Sequence, residues 1–146
     1  GATFWHQDYV NWAVDRSGGM TFWLSLEDIA PESGTMRFYG GSHRTGALGH
    51  YRSYAEGGGI LEDFPELDER CTLSEPLSYE AGDLTVHSNL TVHGAGKNGT
   101  ERPRWAYIVV ANPSDVRWTG GVPEAFSTEG MRMLQPLDDA RFPLIG

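Results

Sequence analysis

Trp5-His6-Gln7-Asp8 near the start, and Gly82-Asp83-Leu84-Thr85-Val86-His87-Ser88-Asn89-Leu90-Thr91-Val92-His93-Gly94 much later, carry the residues that decide the fold. In an extended strand alternate residues share a face, so His6 and Asp8 can present an imidazole and a carboxylate to one point in space. A third ligand then has to come from a neighbouring strand, and His93 is the candidate. Two histidines and a carboxylate on one face of an octahedron leave the opposite positions open to exogenous ligands. Arg104, eleven residues after His93, suits a carboxylate among those ligands.

Around these residues the chain reads as short strands broken by turns. Residues 2–12 alternate loosely and end at Asp15-Arg16-Ser17-Gly18-Gly19. Residues 20–26 and 35–39 are further strands, separated by a loop with Pro31 and Gly34. Residues 72–79 and 84–87 resume an extended pattern, and the β-branched and aromatic run 105–111 is the clearest strand. A short helix is expected around 123–128. Residues 56–69 hold six acids and no base behind Gly57-Gly58-Gly59, which reads as a solvated loop able to serve as a lid. Such spacing supports an all-β domain, and 146 residues with 39% hydrophobic content suffice for one core over 1–146. Placing His93 beside His6 and Asp8 demands that ends of distant strands meet, as in a double-stranded β-helix, the cupin-like jelly roll, with little helix.

Taken in order, His6-x-Asp8, Glu32-Ser33-Gly34-Thr35-Met36, Gly41-Ser42-His43-Arg44, Gly82-Asp83, His93, Asn98 and Arg104 resemble the phytanoyl-CoA dioxygenase family of Fe(II)/2-oxoglutarate-dependent oxygenases. The resemblance runs over essentially the whole chain and implies the same double-stranded β-helix. It implies that His6, Asp8 and His93 are the Fe(II) ligands and that Arg104 binds the distal carboxylate of 2-oxoglutarate, with dioxygen as the second co-substrate. Arg102 is the rival arginine; only the family spacing favours Arg104. Trp23 aligns with an aromatic position near the co-substrate, or is a core tryptophan. His87 either contacts substrate near the iron or is hydrogen-bonded within the barrel, because Ser88-Asn89 breaks the strand between it and His93. Ser42 and His43 fit a loop-fixing turn, and Asn98 a family asparagine or a simple turn residue. The implied activity is hydroxylation of a small organic substrate. The retained Asp8 speaks against halogenation, since related halogenases carry a small residue there. Members of the family carry a largely helical segment ahead of His-x-Asp. Here the motif starts at residue 6, so the chain is expected to lack that support and to cover the exposed face by forming a homodimer.

Charge and composition bound the other readings. A net charge of −9 argues against a nucleic-acid surface, which needs clustered lysines and arginines. No run approaches a membrane span. Cys71 stands alone, so no internal disulfide forms and a reducing, cytoplasmic setting is expected. Two competing classes remain. A cupin-type metalloprotein could hold zinc or manganese on the same three side chains for isomerisation or binding. A sugar-binding jelly roll would instead expose Trp5, Trp12 and Trp118 for stacking, and it leaves the order of His6, Asp8, His93 and Arg104 unexplained.

Overall fold

The computed structural model describes residues 1–48, 59–123, 126–137 and 140–145. Its strands are β1 (Thr3–His6), β2 (Met20–Ser25), β3 (Met36–Gly40), β4 (Thr72–Leu73), β5 (Leu84–Ser88), β6 (His93–Ala95) and β7 (Ala106–Ala111). They form two antiparallel sheets, one of order β1-β6-β3-β4 and one of order β5-β2-β7. These are the facing halves of a jelly roll. Among the described residues no helix is long and apolar enough to cross a membrane.

Period-two patterning decides which side chains enter the space between the sheets. On β2, Thr21, Trp23 and Ser25 are buried, and the register sets Thr21 opposite His87 and Val110, and Trp23 opposite Thr85 and Ile108. On the other sheet Phe38 pairs with His93, and Met36 with Ala95. The outer face of β5-β2-β7 is apolar as well. Met20, Leu84, Val86, Tyr107 and Val109 lie there with between 36% and 62% of their surface exposed. A sheet that is hydrophobic on both sides asks for a covering layer on each.

Among the described residues the core gathers in three small clusters. Trp23, Ile29, Met36, Tyr79 and Ala95 fill one end of the space between the sheets. Val14, Val116 and Leu137 gather Tyr9, Trp12 and Trp118 under the segment that follows β7. Tyr39, Leu67 and Val92 gather Trp5, Ile60, Leu61 and Phe64. Trp5, Trp12 and Trp118 are thus packing residues, not exposed stacking platforms.

The structure corrects two expectations. Residues 60–70 are not a solvated loop: α1 (Ile60–Asp63) and α2 (Leu67–Arg70) each make one turn, and Leu67 is fully buried. Ile60, Phe64 and Leu67 stand at i, i+4 and i+7, a helical stripe that the surrounding acids obscure. The head of that acidic stretch, with His50, lies outside the described residues. The described residues of the stretch where a short helix is expected, 123 and 126–128, are not helical.

Tyr39 ties α2 to the sheet by donating its buried hydroxyl to the Asp68 carboxylate. Burial, then that hydrogen bond and the charge behind it, push the phenol up to about 12. A raised pKa stabilises the fold fully below the unfolded value of 10.0, and the contribution disappears as pH climbs through about 12. Tyr39→Phe is therefore expected to lose about 1.5–3 kcal/mol at neutral pH. Denaturant midpoints should show wild type and variant converging at strongly alkaline pH.

Candidate metal centre

Strand β1 should not deliver His6 to the space between the sheets. Thr3 pairs with Ala95, and both line the inner cavity, so strict alternation would put Trp5 opposite His93 and turn His6 away. Instead the register slips by one between Thr3 and His6, and His6 faces His93 directly. An extra residue of this kind kinks a strand and re-aims the side chains beyond it. The two imidazoles lie with ring centroids 4.3 Å apart.

Asp8 arrives by a different route from the one its spacing implies. The strand ends at His6, and Asp8 opens a short 3₁₀ turn through Asn11. His6 and Asp8 do converge, but through a strand end followed by a turn and not by sharing one strand face. Between them Gln7 is fully buried and acts as a three-way anchor. Its Nε2 donates to the carbonyls of Gly46 and Leu90 at 2.9 and 2.7 Å, and its Oε1 accepts from the Leu48 amide at 2.7 Å. Gln7 is not among the residues singled out from the sequence, where its mark is only a long polar side chain between two candidate ligands.

Asp8 Oδ1 lies 3.3 Å from His6 Nε2 and 3.7 Å from His93 Nε2. The three ligand atoms all fall within 4.8 Å of one another. Neighbouring donors on an octahedral metal with bonds of roughly 2.1 Å would stand about 3 Å apart, so a small closure completes the set. The far side of each imidazole agrees. His6 Nδ1 is 2.7 Å from the Phe4 carbonyl and His93 Nδ1 3.0 Å from the Thr91 carbonyl. A carbonyl only accepts, so each Nδ1 carries a proton and it is the Nε2 edge of each ring that faces Asp8. Burial, then the neighbouring His6, pull His93 down to about 4 against the opposing pull of Asp8, so it is neutral at physiological pH. Burial alone would raise the Asp8 carboxyl, but His6, His87, His93 and Thr21 together hold it well below the usual carboxylate range. Imidazole nitrogens converging on a carboxylate call for a cation between them, either a proton on a ring or a metal ion in its place. The donors present fit a divalent metal.

The cavity that opens on this cluster has a volume of about 350 Å³ and is also lined by Trp23, Met36, Ile108 and Arg104. Arg104 is half-buried. Its Nη1 donates to the Gly34 carbonyl and, at 3.4 Å, to that of Ser33. Gly34 sits at φ 73°, where a Cβ would lie 2.3 Å from the Gly96 carbonyl oxygen, so only glycine fits the turn that receives Arg104. Asn98 serves its turn by bonding Thr100 and the Arg102 carbonyl. Arg102 itself is exposed and is not in the lining of this cavity; it borders a neighbouring cleft that Arg104 also lines. Trp23 is buried with its ring centroid 4.8 Å from that of Tyr79, and it also lines the cavity. Ser42 is buried and accepts from the Val92 amide at 2.8 Å, fixing the loop as expected, while His43 is exposed. His87 is buried with no hydrogen bond to either ring nitrogen, and its Nε2 stands 3.5 Å from Asp8 Oδ2. It also borders a second cavity of about 480 Å³ with Phe38, Leu77 and Thr85.

The model of the phytanoyl-CoA dioxygenase (PhyH) family matches residues 1–106, a span that holds the histidines, Asp8 and Arg104. The chain belongs to that family. A phytanoyl-CoA dioxygenase domain-containing protein 1 homolog of Caenorhabditis elegans is 28% identical over 128 residues, 82% of this chain and 44% of its own length. SnoK, a non-heme alpha ketoglutarate dependent carbocyclase from nogalamycin biosynthesis, is 27% identical and superposes with a TM-score of 0.84 over 99% of this chain and 57% of its own. The epimerase SnoN, solved with Fe3+, alpha ketoglutarate and nogalamycin RO, is 27% identical with a TM-score of 0.74 over 97% of this chain and 56% of its own. The chain thus spans about half the length of these relatives. Iron and 2-oxoglutarate are the cofactors of the enzyme class they represent.

Gln7→Leu keeps the volume of the anchor but strands two carbonyls and an amide. The expected loss of stability is at least about 3 kcal/mol, at 1–3 kcal/mol for each buried polar group left unpaired. Equilibrium urea unfolding of the purified variant measures it.

Proposed function

We propose that this chain forms, over residues 1–146, the catalytic double-stranded β-helix of an Fe(II)/2-oxoglutarate-dependent dioxygenase that hydroxylates a small organic substrate. What carries the reading is the convergence of His6, Asp8 and His93 on one point, in a cavity that Arg104 also lines. In this reading His6, Asp8 and His93 hold Fe(II). Arg104 takes the distal carboxylate of 2-oxoglutarate through its planar fork, against the wall made by Trp23. Iron with 2-oxoglutarate and dioxygen supplies the oxidising power that breaks an unactivated C–H bond. The chain's share is to hold the ligands, orient the carboxylate and exclude water with Met36, Trp23 and Ile108. His87, bordering both cavities, would meet a substrate that enters from the larger one.

A second outcome at the same site is favoured by the relatives. SnoK is described as a carbocyclase and SnoN as an epimerase, so breaking a C–H bond need not end in hydroxylation. The cupin-type alternative, a non-redox zinc or manganese protein, leaves Arg104 only its hydrogen bonds to the Gly34 and Ser33 carbonyls and no ligand in the cavity it lines. In the same reading the chain has no nucleic-acid partner, in keeping with its charge of −9, and works in the cytoplasm, where Cys71 stays a free thiol.

Anaerobic titration with Fe(II) is expected to show near-stoichiometric binding that His6→Ala and His93→Ala each weaken strongly, and 2-oxoglutarate should then raise an absorption band. Arg104→Ala should leave Fe(II) binding nearly intact while raising the 2-oxoglutarate requirement roughly 10- to 100-fold, the equivalent of about 1.5–3 kcal/mol for a charge-assisted contact. Unchanged iron affinity in both histidine variants would reject the site, and the same effect from Arg102→Ala would reject the choice of arginine.

The exposed outer face of β5-β2-β7 further supports a symmetric homodimer that buries Leu84, Val86 and Tyr107. Sedimentation at micromolar concentration should give a dimer; a stable monomer contradicts it.

A further inference from the structure

The two oxygens of Asp8 keep different company. Oδ1 is the one near His6 Nε2 and His93 Nε2, at 3.3 and 3.7 Å. Oδ2 instead accepts a hydrogen bond of 2.5 Å from the Thr21 hydroxyl, with His87 Nε2 next at 3.5 Å. Thr21 and His87 reach this oxygen as directly opposed residues of β2 and β5, both buried. The carboxylate therefore spans the gap between the sheets: its residue follows β1 in one sheet, and its second oxygen is claimed by the other.

A carboxylate can bind a metal through one oxygen or through both, and the choice decides how many positions remain for other ligands. A short O–H···O⁻ bond weighs against the second mode, because it draws on the charge of the oxygen that a bidentate metal would also need and holds that oxygen toward the opposite sheet. Threonine is well suited to the task. As a β-branched residue in a strand it has few χ1 choices, so its hydroxyl is held in place while its methyl group packs. Valine would fill the same volume without the proton, and serine would keep the proton with more freedom.

We infer that Thr21 is a positioning residue that reserves Asp8 Oδ2, so that Asp8 binds the metal through Oδ1 alone and one more coordination position stays open for exogenous ligands. This rests on the metal reading proposed above. Thr21 touches no reacting atom; it acts through Asp8. His87 flanks the same oxygen but at 3.5 Å makes no hydrogen bond to it, so the hydroxyl carries the restraint.

Cobalt(II) alone, added without air to the full chain, is the probe, because its visible absorption reports coordination number and geometry. Wild-type protein is expected to give a site spectrum that His93→Ala abolishes. Thr21→Val should shift that spectrum toward a different coordination number and weaken Co(II) about tenfold, the lower end for losing a partner of a metal-ligating group. Thr21→Ser should restore both. An unchanged spectrum and affinity in Thr21→Val would overturn the inference while leaving the metal site in place. A spectrum in Thr21→Ser as altered as in Thr21→Val, with both folded by circular dichroism, would also overturn it. Wild-type protein with no His93-dependent spectrum would overturn the metal reading and this inference together. Should Thr21→Val fold poorly, Thr21→Ala compared with Thr21→Ser provides the same contrast.

Discussion

Asp8 is a carboxylate drawn into a partly buried space and faced by imidazole nitrogens whose other edges are already engaged by backbone carbonyls. Such an arrangement is costly unless a cation sits at its centre, and much of the surrounding structure exists to keep it in place. The irregularity in β1 turns His6 inward, the β1–β6 register sets it opposite His93, and the 3₁₀ turn carries Asp8 back toward both. Gln7 locks the turn to the loops at Gly46, Leu48 and Leu90. Thr21 fastens the carboxylate to the opposite sheet.

The cavity beside this centre is divided by function as well as by residue type. Arg104 is the basic group in its lining, and it is held by the carbonyls of Gly34 and Ser33 at the turn before β3. Its approach depends on Gly34 adopting a left-handed conformation against Gly96, so the turn between two strands controls an arginine from a third region. Buried apolar walls from Trp23 and Met36 lower the local dielectric, which strengthens whatever charge pairing occurs beside them.

Much of this was readable from residue order, though not always for the right reason. His6-x-Asp8 pointed to a shared site, yet the parity of an uninterrupted strand would have sent His6 to the wrong face; a register slip inside a four-residue strand leaves no mark in composition or spacing. Choosing Arg104 over Arg102 needed the family's spacing, since strand parity is the same for both; the structure has the one half-buried and the other exposed. The α1–α2 segment was misread because its acids outnumber its apolar residues, although Ile60, Phe64 and Leu67 already had helical spacing. Gln7 and Thr21 were invisible for a different reason. Polar residues beside a site declare themselves only when the packing shows what their hydrogen bonds reach.

In the proposed function the nitrogens around Asp8 enclose a metal ion that shares its cavity with a carboxylate on Arg104. Anaerobic crystals grown with Fe(II) and 2-oxoglutarate, with anomalous scattering recorded at the iron edge, test it most directly. The predicted result is one iron peak within bonding distance of His6 Nε2, Asp8 Oδ1 and His93 Nε2, with the far carboxylate of 2-oxoglutarate on the Arg104 guanidinium. An iron peak away from those three atoms, or the carboxylate resting on Arg102, would contradict it.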